Sequence, residues 1–376
     1  MGRVERESEV GFHGDTTQPR NPMLYSKELK AALQPHFTWH GARLTFLSLF
    51  LIALFKVRTV NLSDLCLGFE GTAKSQSSLK RLSRFFRQFE VKDEEIAQIV
   101  VNWMKIPQPW VLSLDRTTWK VGKTWHNMLV LGIVQEGMAY PILWEMLEKK
   151  GNSDQAERMD LLNRFTRLFP KAEVSYIAGD REFVGQAWTR YLLLEPLLSF
   201  RLRIRATDRV VREGVSQSVR VLFSALQPGE TQILTGACTV WGCRVTVAAL
   251  RLPDGNLLAV IAPADTSEII QDYGQRWAIE TLFGAFKTRG FCLESTHFQD
   301  PERLSKLFAL LTLALCWAMQ TGIFEAAHSP IPLKNHGRKT KSIFRTGLDH
   351  LRHLLLNPSP AHRLAFRQSL SFLSCT

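Results

Sequence analysis

The chain has 376 residues, enough for more than one structural unit around a sizeable core. Apolar residues make up 45% of it, and no long polar tract interrupts them, which excludes a disordered chain. The net charge of +12 points to an acidic partner, most simply nucleic acid.

The first ten residues, MGRVERESEV, are charged and lack an apolar core, so no signal peptide is expected there. Apolar residues at helical spacing make the front of the chain helical. Leu44 to Phe55 and Leu307 to Met319 are apolar but too short to span a membrane, and both read as core helices. In Ser77 to Phe89, Lys80, Arg81, Arg84 and Arg87 make a basic face against Leu79, Leu82, Phe85 and Phe86. That face is either solvated or laid against DNA phosphates.

The texture changes at Pro107. Pro109 to Asp115 is a short apolar run closed by an acid and reads as a buried strand. Asn127 to Val134 and Ala139 to Leu147 are the next two strands. Asp154 to Phe169 is a helix with an Asp N-cap, stopped by Pro170. Val174 to Asp180 is a second strand closed by an acid, followed by a helix over Gly185 to Leu194. In Phe200 to Arg205, Phe200, Leu202 and Ile204 alternate with Arg201, Arg203 and Arg205. From Asp208 to Ala264 the chain reads as all-β, with an Asp-Gly turn in Leu252 to Asn256. A helix begins near Ser267, another covers Glu302 to Phe324, and a basic tail follows. The predicted units are a helical region over 1–105, a core over 106–207 and 265–326, a β insertion over 208–264, and a basic helical tail over 327–376. Three antiparallel strands followed by a βαβ unit is the ribonuclease-H-like layout, a mixed α/β sheet with flanking helices.

Asp115 and Asp180 each close a predicted strand, where side chains line the ligand crevice of an α/β sheet. Two carboxylates side by side repel unless a cation neutralises them, and magnesium suits hard oxygen ligands. The alternative is that both are turn residues. A third acid lies in YGQRWAIETLFGAFK. On one helix, Tyr273, Arg276, Glu280 and Lys287 share a face, opposite Ala278, Ile279, Leu282, Ala285 and Phe286. An ordinary surface pairing of Arg276 with Glu280 explains part of this, but not Tyr273 and Lys287 on the same line.

The spacing Y-x(2)-R-x(3)-E-x(6)-K resembles the signature of the bacterial insertion-sequence-four family of DDE transposases. Leu114-Asp115, Gly179 to Phe183 and Gly290 to His297 resemble its flanking motifs, and the likeness covers roughly residues 75 to 350. The resemblance implies a ribonuclease-H-like catalytic domain with a β insertion. It implies cut-and-paste transposition through a DNA hairpin, in a bacterial cytoplasm, by a homodimer on paired ends. Asp115, Asp180 and Glu280 would hold two Mg2+ ions, with Mn2+ as a substitute. Tyr273, Arg276 and Lys287 would grip phosphates of double-stranded DNA, at the terminal inverted repeats and the target. Trp241, the one Trp of the insertion, would stack an extruded base. The alternative is an inactive or regulatory DNA-binding relative of the same fold.

Several other patterns carry less. Val121 to Thr124 reads VGKT but lacks the first glycine of a phosphate loop. Glu182 is an alternative ligand, while Glu294 and His297 are read as packing or orienting residues. Cys66, Cys238, Cys243, Cys292, Cys316 and Cys375 form no metal-binding pattern and read as reduced thiols.

Overall fold

The structure is a computed structural model and describes residues 24–194, 198–335 and 337–373. The charged N-terminal decapeptide and Cys375 lie outside the described residues. The other five cysteines are free, and four of them are buried.

Five helices open the chain: α1 (Leu24–Leu33), α2 (Gly41–Val57), α3 (Leu62–Gly68), α4 (Ser75–Gln88) and α5 (Asp93–Met104). Helix α2 is apolar all round, and every residue from Phe46 to Phe55 is buried. The His40 and Asn61 side chains cap α2 and α3 by accepting from the Ala42 and Ser63 amides. Helix α4 is amphipathic: Leu82, Phe85 and Phe86 are buried, whereas Lys80, Arg81, Arg84 and Arg87 are exposed.

The core follows as β1 (Trp110–Val121), β2 (Thr124–Gln135), β3 (Met138–Met146), α6 (Gln155–Leu168), β4 (Val174–Gly179), α7 (Gln186–Leu194) and β5 (Phe200–Ile204). A capping box between Asp154 and Glu157 starts α6. The insertion contributes β6 (Arg209–Arg212), β7 (Val215–Ser218), a single-turn α8 (Val219–Leu222), β8 (Thr231–Ile233), β9 (Cys238–Val240), β10 (Cys243–Arg251) and β11 (Leu257–Pro263). The chain ends with α9 (Ile269–Gly274), α10 (Trp277–Phe286), α11 (Pro301–His328), α12 (Ile343–Leu356) and α13 (Pro360–Ser371).

The strands form one sheet in the order β3-β2-β1-β4-β5-β11-β10-β9-β6-β7, with β8 paired to β10. β2 is antiparallel to β1 and to β3, while β4 runs parallel to β1, and β5 parallel to β4. That is a ribonuclease-H-like sheet. The insertion is not a separate layer, because β11 adds antiparallel to β5 and carries the sheet onward.

Two sequence expectations are corrected. β1 does not end at Asp115 but continues to Val121, because β2 goes on pairing with it after β4 stops at Gly179. The predicted continuous helix around Tyr273 is two helices. Between them the Arg276 and Ile279 amides reach back only three residues, to the Tyr273 and Arg276 carbonyls.

Helix α11 is the buried axis of the molecule. It is long and apolar enough to cross a membrane, as are α2 and α3 taken as one bent pair, and 83% of the most apolar window of α11 is buried inside the protein. The basic C-terminal stretch packs rather than trails: Phe344, Leu348, Leu351, Leu355 and Phe366 of α12 and α13 join the same core as α2 and α11. Arg164 of α6 ties α5 to β3 through Asp93 and Glu145.

Candidate active site

Sheet register builds the site. In the parallel pairs, Leu114 of β1 stands level with Gly179 of β4, and Gly179 with Leu202 of β5. One residue further on come Asp115 of β1, Asp180 just past the end of β4, and Arg203 of β5, and Arg203 lies 3.4 Å from Asp180.

The break between α9 and α10 delivers the other groups. Tyr273 sits on α9, Arg276 is the first cap of α10, and Glu280 lies in its first turn. Tyr273 Oη donates to Asp180 Oδ1 at 3.4 Å. Arg276 Nη1 donates to Asp115 Oδ2 at 3.0 Å, and Nη2 donates to Glu280. One guanidinium therefore bridges two of the three acids. It is 4% exposed, so it is a buried link and not a surface ion pair.

The electrostatics follow from burial. The Asp115 carboxyl is raised to about 6, chiefly because it is buried, with the Arg116 amide and Arg276 pulling the other way and Glu182 and Asp180 adding to the rise. Burial pushes the Tyr273 phenol up to about 12, so it remains a donor near neutral pH. Burial disfavours a charged Arg276, yet Tyr273, Asp115 and Glu280 around it hold its pKa above the ordinary arginine value.

The remaining sequence-predicted residues lie further out. Lys287 closes α10 and donates to the Thr118 carbonyl at 2.9 Å, pairs with Glu294 at 3.0 Å and lies 5.5 Å from the Trp119 ring. Trp241 occupies the β9–β10 turn at φ 49°, half-buried against the core. Among the described residues it makes no hydrogen bond or ring contact with the acid group. Glu182 is held by Arg116, which donates Nε and Nη2 to its two oxygens at 3.0 and 2.9 Å. His297 meets Asn61 at 3.3 Å.

Sequence reasoning missed a supporting layer. Arg201 donates twice to Asp272 Oδ2, at 2.8 and 2.6 Å, and so fixes α9 to β5. Tyr176 Oη donates to the Asp272 carbonyl at 3.0 Å. The alternation of Arg201, Arg203 and Arg205 was the available signal, but alternation gives a face and not a partner. Trp277, 65% exposed, was also passed over; its ring lies 5.9 Å from the Arg276 guanidinium.

The donor set is hard oxygen, which suits a divalent cation such as magnesium. Among the described residues no three acidic, histidine or cysteine side chains converge closely enough to hold a metal. Instead, the Arg276 guanidinium lies between Asp115 and Glu280. The two carboxylates already face one positive charge, so the chemistry of the donor set fits a cation.

The family profile for the transposase DDE domain matches residues 106–317. The chain belongs to this DDE transposase family. The matched span of the transposase runs from β1 into α11 and contains all three acids. A cryo-EM structure of the piggyBac transposase synaptic complex with hairpin DNA is similar at 14% identity and a TM-score of 0.44, covering 98% of this chain and 79% of that one. No curated protein matches the sequence.

Proposed function

We propose that this DDE transposase belongs to the insertion-sequence-four branch and cuts and rejoins double-stranded DNA at Asp115, Asp180 and Glu280. The observation that carries the reading is the position of Asp115 and Asp180 one residue beyond the Leu114–Gly179 pair of β1 and β4, with Glu280 joined to Asp115 through Arg276.

Asp115, Asp180 and Glu280 would hold the two divalent ions, magnesium or manganese. When bound, such ions supply Lewis-acid activation of an attacking oxygen and neutralise charge on the leaving one. The chain's own groups do the rest. Arg276, released from Glu280, offers its planar fork to a phosphate. Tyr273 donates to a phosphate oxygen and keeps α9 against the Asp180 strand. Lys287 adds a point charge beside the β1–β2 hairpin. Crowded phosphates at a bent DNA end need these neutralising groups, which suits a hairpin intermediate. Trp241 is the insertion's aromatic for an extruded base. A homodimer follows from the reaction, since two transposon ends must each meet an active site.

A DNA-binding relative that does not cut is the second reading, and it is favoured by the Arg276 bridge, which joins Asp115 and Glu280 without metal. The two are separated by incubating the chain with a DNA cassette carrying its own flanking repeats, with and without magnesium. Wild type should give nicks and double-length hairpin strands on a denaturing gel, and Glu280→Gln should give neither while still binding. Binding without cleavage in magnesium and in manganese would sink the catalytic reading.

A further inference from the structure

Beyond Asp115 the β1–β2 hairpin projects from the edge of the sheet where the acids lie, because β4 has ended and only β2 still pairs with β1. Its tip is the two-residue turn Gly122-Lys123, with Gly122 at φ 58°. The VGKT sequence is thus a hairpin turn. Register places Lys120 opposite Trp125, so both stand on one face of the ribbon, the face away from Asp115. On the other face, Trp119 is buried beneath Lys287.

The Trp125 ring is 48% exposed. The ammonium groups of Lys120 and Lys150 each lie 5.9 Å from its centroid. Neither forms an ion pair among the described residues, whereas neighbouring Lys149 is paired with Asp154 and Glu157. Beside the ring is a recess of 240 Å3 bordered by Arg116, Asn127 and Lys150. A large aromatic left in water, with two uncompensated cations over it, is complementary to a flat π-face carrying anionic groups. Nucleotides have that form. Five residues of strand separate Lys120 from Asp115, about 17 Å of chain, a span of a few nucleotides along the ribbon, with the ring on its opposite face.

We propose that Trp125, with Lys120 and Lys150, is a stacking site for an unpaired base of the DNA strand held at the acids, its flanking phosphates gripped by the two ammonium groups. This rests on the DNA-cutting reading above. An unpaired strand is specified because a base inside a duplex is covered on both faces by its neighbours, and only an unstacked one can lie on the ring.

The test uses the full chain carrying Glu280→Gln, so that bound DNA stays intact. It is titrated with a labelled duplex bearing a short single-stranded extension and with the same duplex blunt. Adding Trp125→Ala should weaken the extended DNA about tenfold and leave the blunt duplex within about twofold, while Trp125→Phe should retain most of the binding. The paired change Lys120→Ala and Lys150→Ala should lower the slope of log affinity against log salt by about 1.4, as loss of two single-strand phosphate contacts requires. An extension containing 5-iodouracil should photocross-link to the 118–127 segment. An unchanged affinity of the Trp125→Ala chain for the extended DNA, equal losses on both DNAs, or a cross-link elsewhere would overturn the site. So would a change in sedimentation without a change in DNA affinity, which would make the ribbon a contact between copies. Absence of any DNA binding would overturn the DNA-cutting reading as well. Magnesium-dependent cleavage by the otherwise wild-type chain, with Trp125→Ala inert in these titrations, would overturn this proposal alone.

Discussion

Arg276 governs the resting state of the site. Its guanidinium is buried and divided between Asp115 and Glu280. Removing one partner from a buried charge group leaves the others uncompensated, so Arg276→Ala should cost about 3 kcal/mol of stability. If magnesium binds at these acids, as proposed, it should raise the melting temperature of the variant by more than that of wild type. Identical melting of both proteins, with and without magnesium, would show that the guanidinium holds no cation's place. Asp115 adds a pH dependence. Burial raises its carboxyl to about 6, above the ordinary aspartate value, so the proton binds the folded chain more tightly than the unfolded one. The stability this gives the metal-free chain is complete below about pH 4 and is lost as the pH rises through about 6. Metal binding at Asp115, as proposed, would run the other way, because the ion would have to displace that proton. The magnesium concentration giving half-maximal cleavage should therefore rise as the pH falls below about 6, by up to about tenfold per pH unit. A flat magnesium requirement between about pH 5 and 8 would remove Asp115 from the ligand set.

Elements determine how much of this could be read in advance. Both acids were legible because an apolar run followed by an acid is a local signal, although only Asp180 follows the end of its strand while Asp115 lies within β1, and parallel pairing of β1 with β4 brings the two side by side. Arg203 was not, since its place beside Asp180 depends on which residue of β5 stands level with Gly179, and no local pattern encodes that register. The break before Arg276 was signalled only by Gly274 inside a helical pattern, a residue that weakens a helix without ending it. The close crossing of α11 and α12 was likewise hidden. A Cβ on Gly347 would lie 1.8 Å from the Ala318 carbonyl oxygen and 2.6 Å from the Gly322 nitrogen. Those are backbone atoms of the buried axis and cannot step aside, so the helices would have to part. Gly347→Ala should cost about 1–3 kcal/mol or more, seen as a lower denaturant midpoint. An unchanged midpoint would mean that the two helices are not held at this separation.

At the scale of the whole molecule, one core joins the N-terminal helices, the sheet and the C-terminal helices, with residues from Tyr25 to Leu373 in a single cluster. Helix α4 is therefore fixed relative to the acids and is not a loosely tethered arm. Its Lys80, Arg81, Arg84 and Arg87 are exposed, and none forms an ion pair among the described residues. On a chain of net charge +12, these residues either keep the surface solvated or follow a duplex backbone, and the salt dependence of binding decides between the two. Each duplex phosphate neutralised contributes about 0.9 to the slope of log affinity against log salt. Replacing all four residues with Gln keeps good helix formers on the face. If α4 lies along DNA, the slope should fall by about 3.6 and affinity should drop for every sequence alike, because phosphate contacts carry no base information. If the face is only solvated, both the slope and the affinity should stay as they were, and the strand entering the site must be steered by cations nearer to it, on β5, on α10 and along the β1–β2 ribbon.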